Sequence, residues 1–280
     1  MGMIRRSSSR HAPSRSRATR SIAETLDLPA PSPVCGRWGC RSTSLCAHMT
    51  PLFDLDLLLT GTYHDWLVAG LITSLSLTGI SLALALPLAI LIALIRLSPV
   101  KVLQWSGFAF VEAIRNVPLL AHMLFWYFGA PELLPTALRE WLYARNIEAT
   151  SAIIALTLYT AAYMSEDVRS GIRSIPGQQF EAARALGFSF VASMRLVVLP
   201  QALRVTIPPL ISQTLNLWKD TSIATVIGVA ELMYQAAKVE SASFRSFEAF
   251  AFASACYLGM SLLITGAAGW YQGRFPVRAA

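Results

Sequence analysis

The stretch "LVAGLITSLSLTGISLALALPLAILIALI", residues 67–95, has no Asp, Glu, Lys or Arg over 29 consecutive positions. About 20 apolar residues suffice for a helix to cross a bilayer. The run ends at Arg96, with Pro99 and Lys101 just beyond, and residues 50–65 ahead of it hold Asp54, Asp56 and Asp65 but no Lys or Arg. Residues 249–273 form a second charge-free run, of 25 positions. Composition agrees with a membrane protein: 54% of the 280 residues are apolar, 14% are charged and mean hydropathy is +0.51. Soluble domains carry about a quarter charged residues.

Three shorter apolar segments lie between these runs. Phe108–Pro131 is interrupted by Glu112, Arg115 and Asn116-Val117-Pro118. Charges three apart share a helix face and can pair, and Pro118 predicts a kink. Thr150–Ser165 continues past Glu166-Asp167 towards Pro176, and Val205–Trp218 contains Pro208-Pro209. The pattern predicts an all-α integral membrane protein with about five transmembrane helices, at 66–95, 108–130, 150–172, 201–218 and 248–272. The middle three carry polar residues, as helices surrounded by other helices or lining a cavity do.

Lys and Arg in the connections set the orientation. Arg96, Lys101, Arg169, Arg173, Arg184, Arg195, Arg204, Arg274 and Arg278 fall on one side, against Arg139, Arg145, Lys219, Lys238 and Arg245 on the other. Nine against five puts the C-terminus and residues 176–200 in the cytoplasm and the N-terminus outside. Residues 1–48 contradict this, with eight Arg and two acids. Their Arg, Ser and Pro content reads as a disordered tail, and the expectation is a mature protein starting near Met49. Residues 49–65 then form an extracytoplasmic segment, 66–275 the transmembrane domain and 276–280 a C-terminal tail.

The net charge of +7 resides mostly in residues 1–48, and the remainder holds 15 basic and 14 acidic side chains. That balance excludes a nucleic-acid partner for the body. Cys35, Cys40, Cys46 and His48 match zinc spacings poorly, so no metal site is expected.

The segment "EAARALGFSFVASMRLVVLP", 181–200, interrupts this apolar chain. Its start, Gln178–Leu186, has good helix formers. Phe180, Ala183 and Leu186 share a face, Ala182 and Ala183 permit close approach, and Gly187 suits a left-handed helix end. Those features fit a docking helix or a helix lying on the bilayer surface, and do not separate the two.

Glu181-Ala182-Ala183, then Gly187, Val197 and Leu199-Pro200, resembles the EAA loop of ABC importer permeases, with Val197 where isoleucine is commoner. "FVEAIRNVPLL" (110–120), "AAYMSEDVRSGIRSIPGQQFEAARALG" (161–187) and "LWKDTSIATVIG" (217–228) resemble the polar amino-acid importers. "RNVPLLAHMLFWYFGAPELLP" (115–135) is most similar to their glutamate/aspartate branch. The resemblance implies a type I permease fold in a bacterial inner membrane. It implies partners too: a dimer of ABC ATPase subunits, a second permease, identical or homologous, and an extracytoplasmic amino-acid-binding protein. Phe180, Glu181, Ala182, Ala183, Leu186 and Gly187 become the expected coupling contacts to the ATPase.

The chain has no G-x-x-x-x-G-K-[ST] phosphate loop, so ATP and its hydrolysis are expected on a separate chain, with no cofactor here. Transport by alternating access, without an enzymatic centre, is the function expected. An ion-coupled secondary transporter is the rival, because such proteins also hold charges inside broken spans. Intramembrane polar groups name the candidates for the substrate path: Arg115, Tyr163, Glu166, Lys219, Thr221 and Ser222. His122, among Phe125 and Trp126, reads as a packed histidine.

Overall fold

The computed structural model describes residues 60–144 and 146–275. The expectations for residues 1–48, for 49–59 of the N-terminal segment and for the tail 276–280 lie outside the described residues. Every element within them is helical.

Helix α1 (Thr62–Leu97) contains the whole charge-free opening run. A hydroxyl left bare in an apolar phase is costly. Thr73, Ser76 and Thr78 donate to the carbonyls of Ala69, Ile72 and Ser74, at 3.0, 2.8 and 2.9 Å. Ser74 bonds to another element, and Ser81 is fully buried with its hydroxyl unbonded.

The second expected span is broken rather than kinked. Helices α2 (Lys101–Arg115) and α3 (Leu119–Leu124, prolonged by a π turn and a 3-10 turn to Leu133) meet at 100°. Pro118 sits at ψ 142°, outside helical space. The Asn116 amide closes α2 by donating to the Glu112 carbonyl at 2.8 Å. A short helix α4 (Thr136–Tyr143) follows.

Helix α5 (Ile147–Arg173) is the third span, and Asn146 caps it by accepting from the Ala149 amide at 2.9 Å. Helix α6 (Gly177–Ala185) is the short helix expected after Pro176. From Phe190 the path is helical for 38 residues, through α7 (Phe190–Ser193), a π turn, α8 (Leu199–Asp220) and a 3-10 segment ending at Ile227. The fourth span is therefore much longer than 201–218. Arg195 and Arg204 stay exposed on its surface and do not stop it. Pro208 and Pro209 lie inside α8. Helix α9 (Leu232–Ser243) then leads to α10 (Ser246–Arg274), the last span.

Among the described residues four helices are long and apolar enough to cross a membrane, and five spans result if the bent α2–α3 pair counts as one. Helix α5 is central: 56% of its most apolar window is buried, against 17% for α10. One core joins Leu77, Met123, Leu156, Leu217 and Ile227; another joins Ala85, Ala89, Val111, Ala161 and Met164. Many of these residues are small, as expected where helices pack without a water-driven hydrophobic force. Ile72, Leu84, Leu91, Leu258 and Leu263 are exposed, a lipid-facing coat.

Among the described glycines, Gly70 lies nearest to another backbone: a Cβ there would stand 2.9 Å from the Leu232 Cα. Gly70→Val is expected to destabilise the fold by about 1–3 kcal/mol through overpacking. Thermal unfolding in detergent checks this, and an unchanged midpoint contradicts the α1–α9 packing.

Candidate functional site

A polar cavity of about 440 Å³ lies between α5 and α8, lined by Tyr159, Thr160, Tyr163, Gln213, Asn216, Lys219 and Asp220, with Leu217 as an apolar wall. The periodicity of two helices assembles it. Positions three or four apart share a helix face, so Gln213, Asn216 and Lys219 form one stripe on α8 and Tyr159 and Tyr163 one stripe on α5. At about 1.5 Å per residue the two tyrosines lie about 20 Å from the start of α5, near its middle. Their hydroxyls are 3.4 Å apart. The Arg115 guanidinium lies over the Tyr163 ring, 4.9 Å from its centroid. His122 meets the Tyr159 ring edge-on, and its Nε2 is 3.0 Å from the Ile114 carbonyl, so it is a packed histidine. The cavity thus presents hydroxyls, amides, a cation and an anion at mid-depth in the helices.

The six residues expected along the substrate path separate. Tyr163 and Lys219 line the cavity, and Arg115 is one ring away. Arg115 does not pair with Glu112, whose carboxylate instead accepts from the Asn116 amide at 2.9 Å. Glu166 stands elsewhere: it pairs with Arg96 and accepts two bonds from Arg169, at 2.6 and 3.1 Å. Thr221 is fully buried and donates to the Trp218 carbonyl at 2.8 Å, while Ser222 donates to Lys219 O at 2.8 Å. Both hydroxyls close the C-terminal turn of α8, whose last carbonyls have no partner within the helix. Tyr159, Thr160, Gln213 and Asn216 were not anticipated. Polar residues every third position of an otherwise apolar span were the available signal.

The second candidate site is α6. Gly187 has φ +87°; its amide bonds the Arg184 carbonyl at 3.0 Å and the Phe188 amide bonds the Ala183 carbonyl at 3.2 Å. This is the Schellman ending that a left-handed glycine permits. Phe180 and Phe190 pack edge to face at 5.4 Å, holding α6 against α7. Ala183 is buried against the subunit itself, and Phe180 is half-buried. Glu181, Ala182, Leu186 and Gly187 are exposed. The face shared by Phe180, Ala183 and Leu186 is therefore divided, because Leu186 terminates the helix and swings outward. Leu186 and Val191, 79% and 70% exposed, are bare apolar side chains at and just beyond the end of α6.

A broken span, a mid-depth polar cavity and a short protruding helix between spans together define a membrane permease subunit. Residues 85–275 match the family described as "Binding-protein-dependent transport system inner membrane component". The chain belongs to this family, and within it to the polar amino-acid ABC permeases, multi-pass transport subunits of the bacterial inner membrane. It is 36% identical to the probable glutamine ABC transporter permease GlnM of Bacillus subtilis, over 80% of this chain and 95% of the relative. It is 34% identical to the glutamate/aspartate import permease GltJ of Escherichia coli K12, over 72% and 84%. A crystal structure of an amino acid ABC transporter with histidines superimposes with TM-score 0.67 at 30% identity, covering 76% of this chain and 95% of that one.

Proposed function

We propose that this subunit imports an acidic amino acid, glutamate or aspartate, through the α5–α8 cavity by alternating access, powered by ATP bound on a separate ATPase dimer. The observation that carries the substrate reading is the charge set around the cavity. Glutamate has two carboxylates and one ammonium group. Lys219 and Arg115 supply two cations, and Asp220 supplies one anion, beside amides and hydroxyls. A glutamine has one carboxylate fewer and needs only one of the cations. The similarity to glutamine permeases makes that amide the competing substrate.

The remaining machinery follows from α6. The charge asymmetry supports a cytoplasmic α6, where an ATPase groove can hold Glu181, Ala182, Leu186 and Gly187. A second permease subunit completes the pore, and a loaded binding protein delivers substrate from outside. ATP changes the arrangement only by binding one state of the assembly better than the other. An ion-coupled secondary transporter has no use for the exposed end of α6.

The test is uptake by proteoliposomes containing the transporter with its ATPase and binding protein. Labelled glutamate, aspartate and glutamine are compared. Lys219→Met is expected to lower kcat/KM for glutamate and aspartate roughly 10–100-fold, the loss of one charged hydrogen bond, and to affect glutamine less. Uptake restricted to glutamine refutes the acidic substrate, and an equal loss for all three refutes Lys219 as the partner of its second carboxylate.

A further inference from the structure

A separate cavity of about 270 Å³ lies where the end of α1 meets α2 and α5, lined by Arg96, Gln104, Trp105, Phe108, Arg169 and Arg173. Three arginines share it with one internal counter-charge, since Glu166 pairs with Arg96 and Arg169. Glu112 on α2 also acts on Arg96 and keeps its charge while bonded to Asn116, but Arg115 acts on Arg96 with the opposite sign and offsets it. The pocket wall therefore carries surplus positive charge, and Arg173 lies exposed at one turn from Arg169.

Local packing builds the pocket. The Arg96 guanidinium lies 5.5 Å from the Phe108 ring centroid. Its stem crosses Gly107, where a Cβ would come within 2.7 Å of the Arg96 Cγ. Trp105 and Phe108 meet edge to face at 5.7 Å. Beside the cations, α2 leaves Val102, Leu103, Trp105 and Phe108 exposed.

We propose that this pocket binds the phosphodiester headgroup of an anionic phospholipid. Guanidinium groups present paired N–H donors that match phosphate oxygens. Basic pockets between membrane helices are suited to acidic headgroups. The bare apolar residues on the same helix decide between lipid and dissolved phosphate: they offer acyl chains a surface next to the cations, and a free anion has no use for it. An exposed Trp flanking the charge fits headgroup depth.

The test reconstitutes the purified transporter in nanodiscs of phosphatidylcholine with or without phosphatidylglycerol. Native mass spectrometry reads the retained lipid, and thermal unfolding reads stabilisation. Wild type is expected to retain phosphatidylglycerol preferentially. Arg173→Gln and, independently, Gln104→Glu are each expected to weaken that retention roughly fivefold, the effect of one charge near the headgroup plane. Both positions are exposed, and either variant suffices if the other misfolds. Three results overturn the proposal: equal retention of the two lipids, retention unchanged in a folded variant, or stabilisation by inorganic phosphate in phosphatidylcholine equal to that by phosphatidylglycerol. The last identifies a free-anion site.

Discussion

Glu231→Leu is expected to destabilise the subunit by about 3–5 kcal/mol, from a lost helix cap and at least one or two stranded donors. Glu231 is completely buried. Its carboxylate caps α9, accepting from the Met233 and Tyr234 amides at 3.0 and 2.9 Å. It also accepts from Ser74 Oγ of α1 at 3.2 Å, from Tyr257 Oη of α10 at 2.9 Å, and from Thr225 of the 3-10 segment. The Ser74 oxygen in turn accepts from the Leu232 amide at 3.1 Å. One side chain thus ties four elements together. No cation is among these partners: the donors are three hydroxyls and two backbone amides at the start of α9. Leucine fills the volume and accepts nothing. Ser74→Ala and Tyr257→Phe remove one bond each and are expected to cost about 1 kcal/mol apiece. Combining either with Glu231→Leu is expected to add little, because they share the lost interaction. Chemical unfolding of the purified protein measures all of these. A leucine variant within about 1 kcal/mol of wild type removes Glu231 as the tie.

The long apolar spans were legible because a bilayer imposes length and the absence of charge on each helix separately. The charge-free runs 67–95 and 249–273 lie inside α1 and α10, with boundaries that shift by a few residues. The ending of α6 was legible for the same reason: Gly187 acts through its own backbone and needs no distant partner. Side-chain partnerships were not. Nothing near Glu166 announces Arg96, which α1 brings from 70 positions away. The local Glu112–Arg115 pairing yields to Asn116, a neutral side chain one position further on. Weighing intramembrane charge directed attention to Thr221 and Ser222, which flank Lys219-Asp220, yet those hydroxyls turn back onto the α8 backbone. Gln213 and Asn216 are uncharged, and their meaning emerges only when α8 faces Tyr159 and Tyr163.

On the proposal that α6 transmits ATP-driven motion, Gly187→Val is expected to lower transport about tenfold or more while the spans remain folded. At φ +87° a β-branched side chain meets its own backbone, and left-handed geometry costs roughly 1–2 kcal/mol for an ordinary L-residue. The variant escapes that cost by unwinding the Schellman turn, which frees the Ala183 and Arg184 carbonyls and releases the edge-on stack of Phe180 and Phe190. Leu186 and Glu181 then no longer hold a fixed position for a partner groove. Re-forming the turn in order to seat the helix again costs the variant that same roughly 1–2 kcal/mol, and a barrier raised by about 1.4 kcal/mol slows a step tenfold. Gly187→Asn is the control, since asparagine tolerates the left-handed region, and it is expected to transport close to wild type. Proteoliposome uptake and ATP hydrolysis are measured together with the unfolding temperature. Folded valine protein that still hydrolyses ATP but moves little substrate is the signature of a broken linkage. Valine protein that transports as fast as wild type shows that α6 does not need its fixed ending, and ATP-driven motion must then enter the subunit elsewhere.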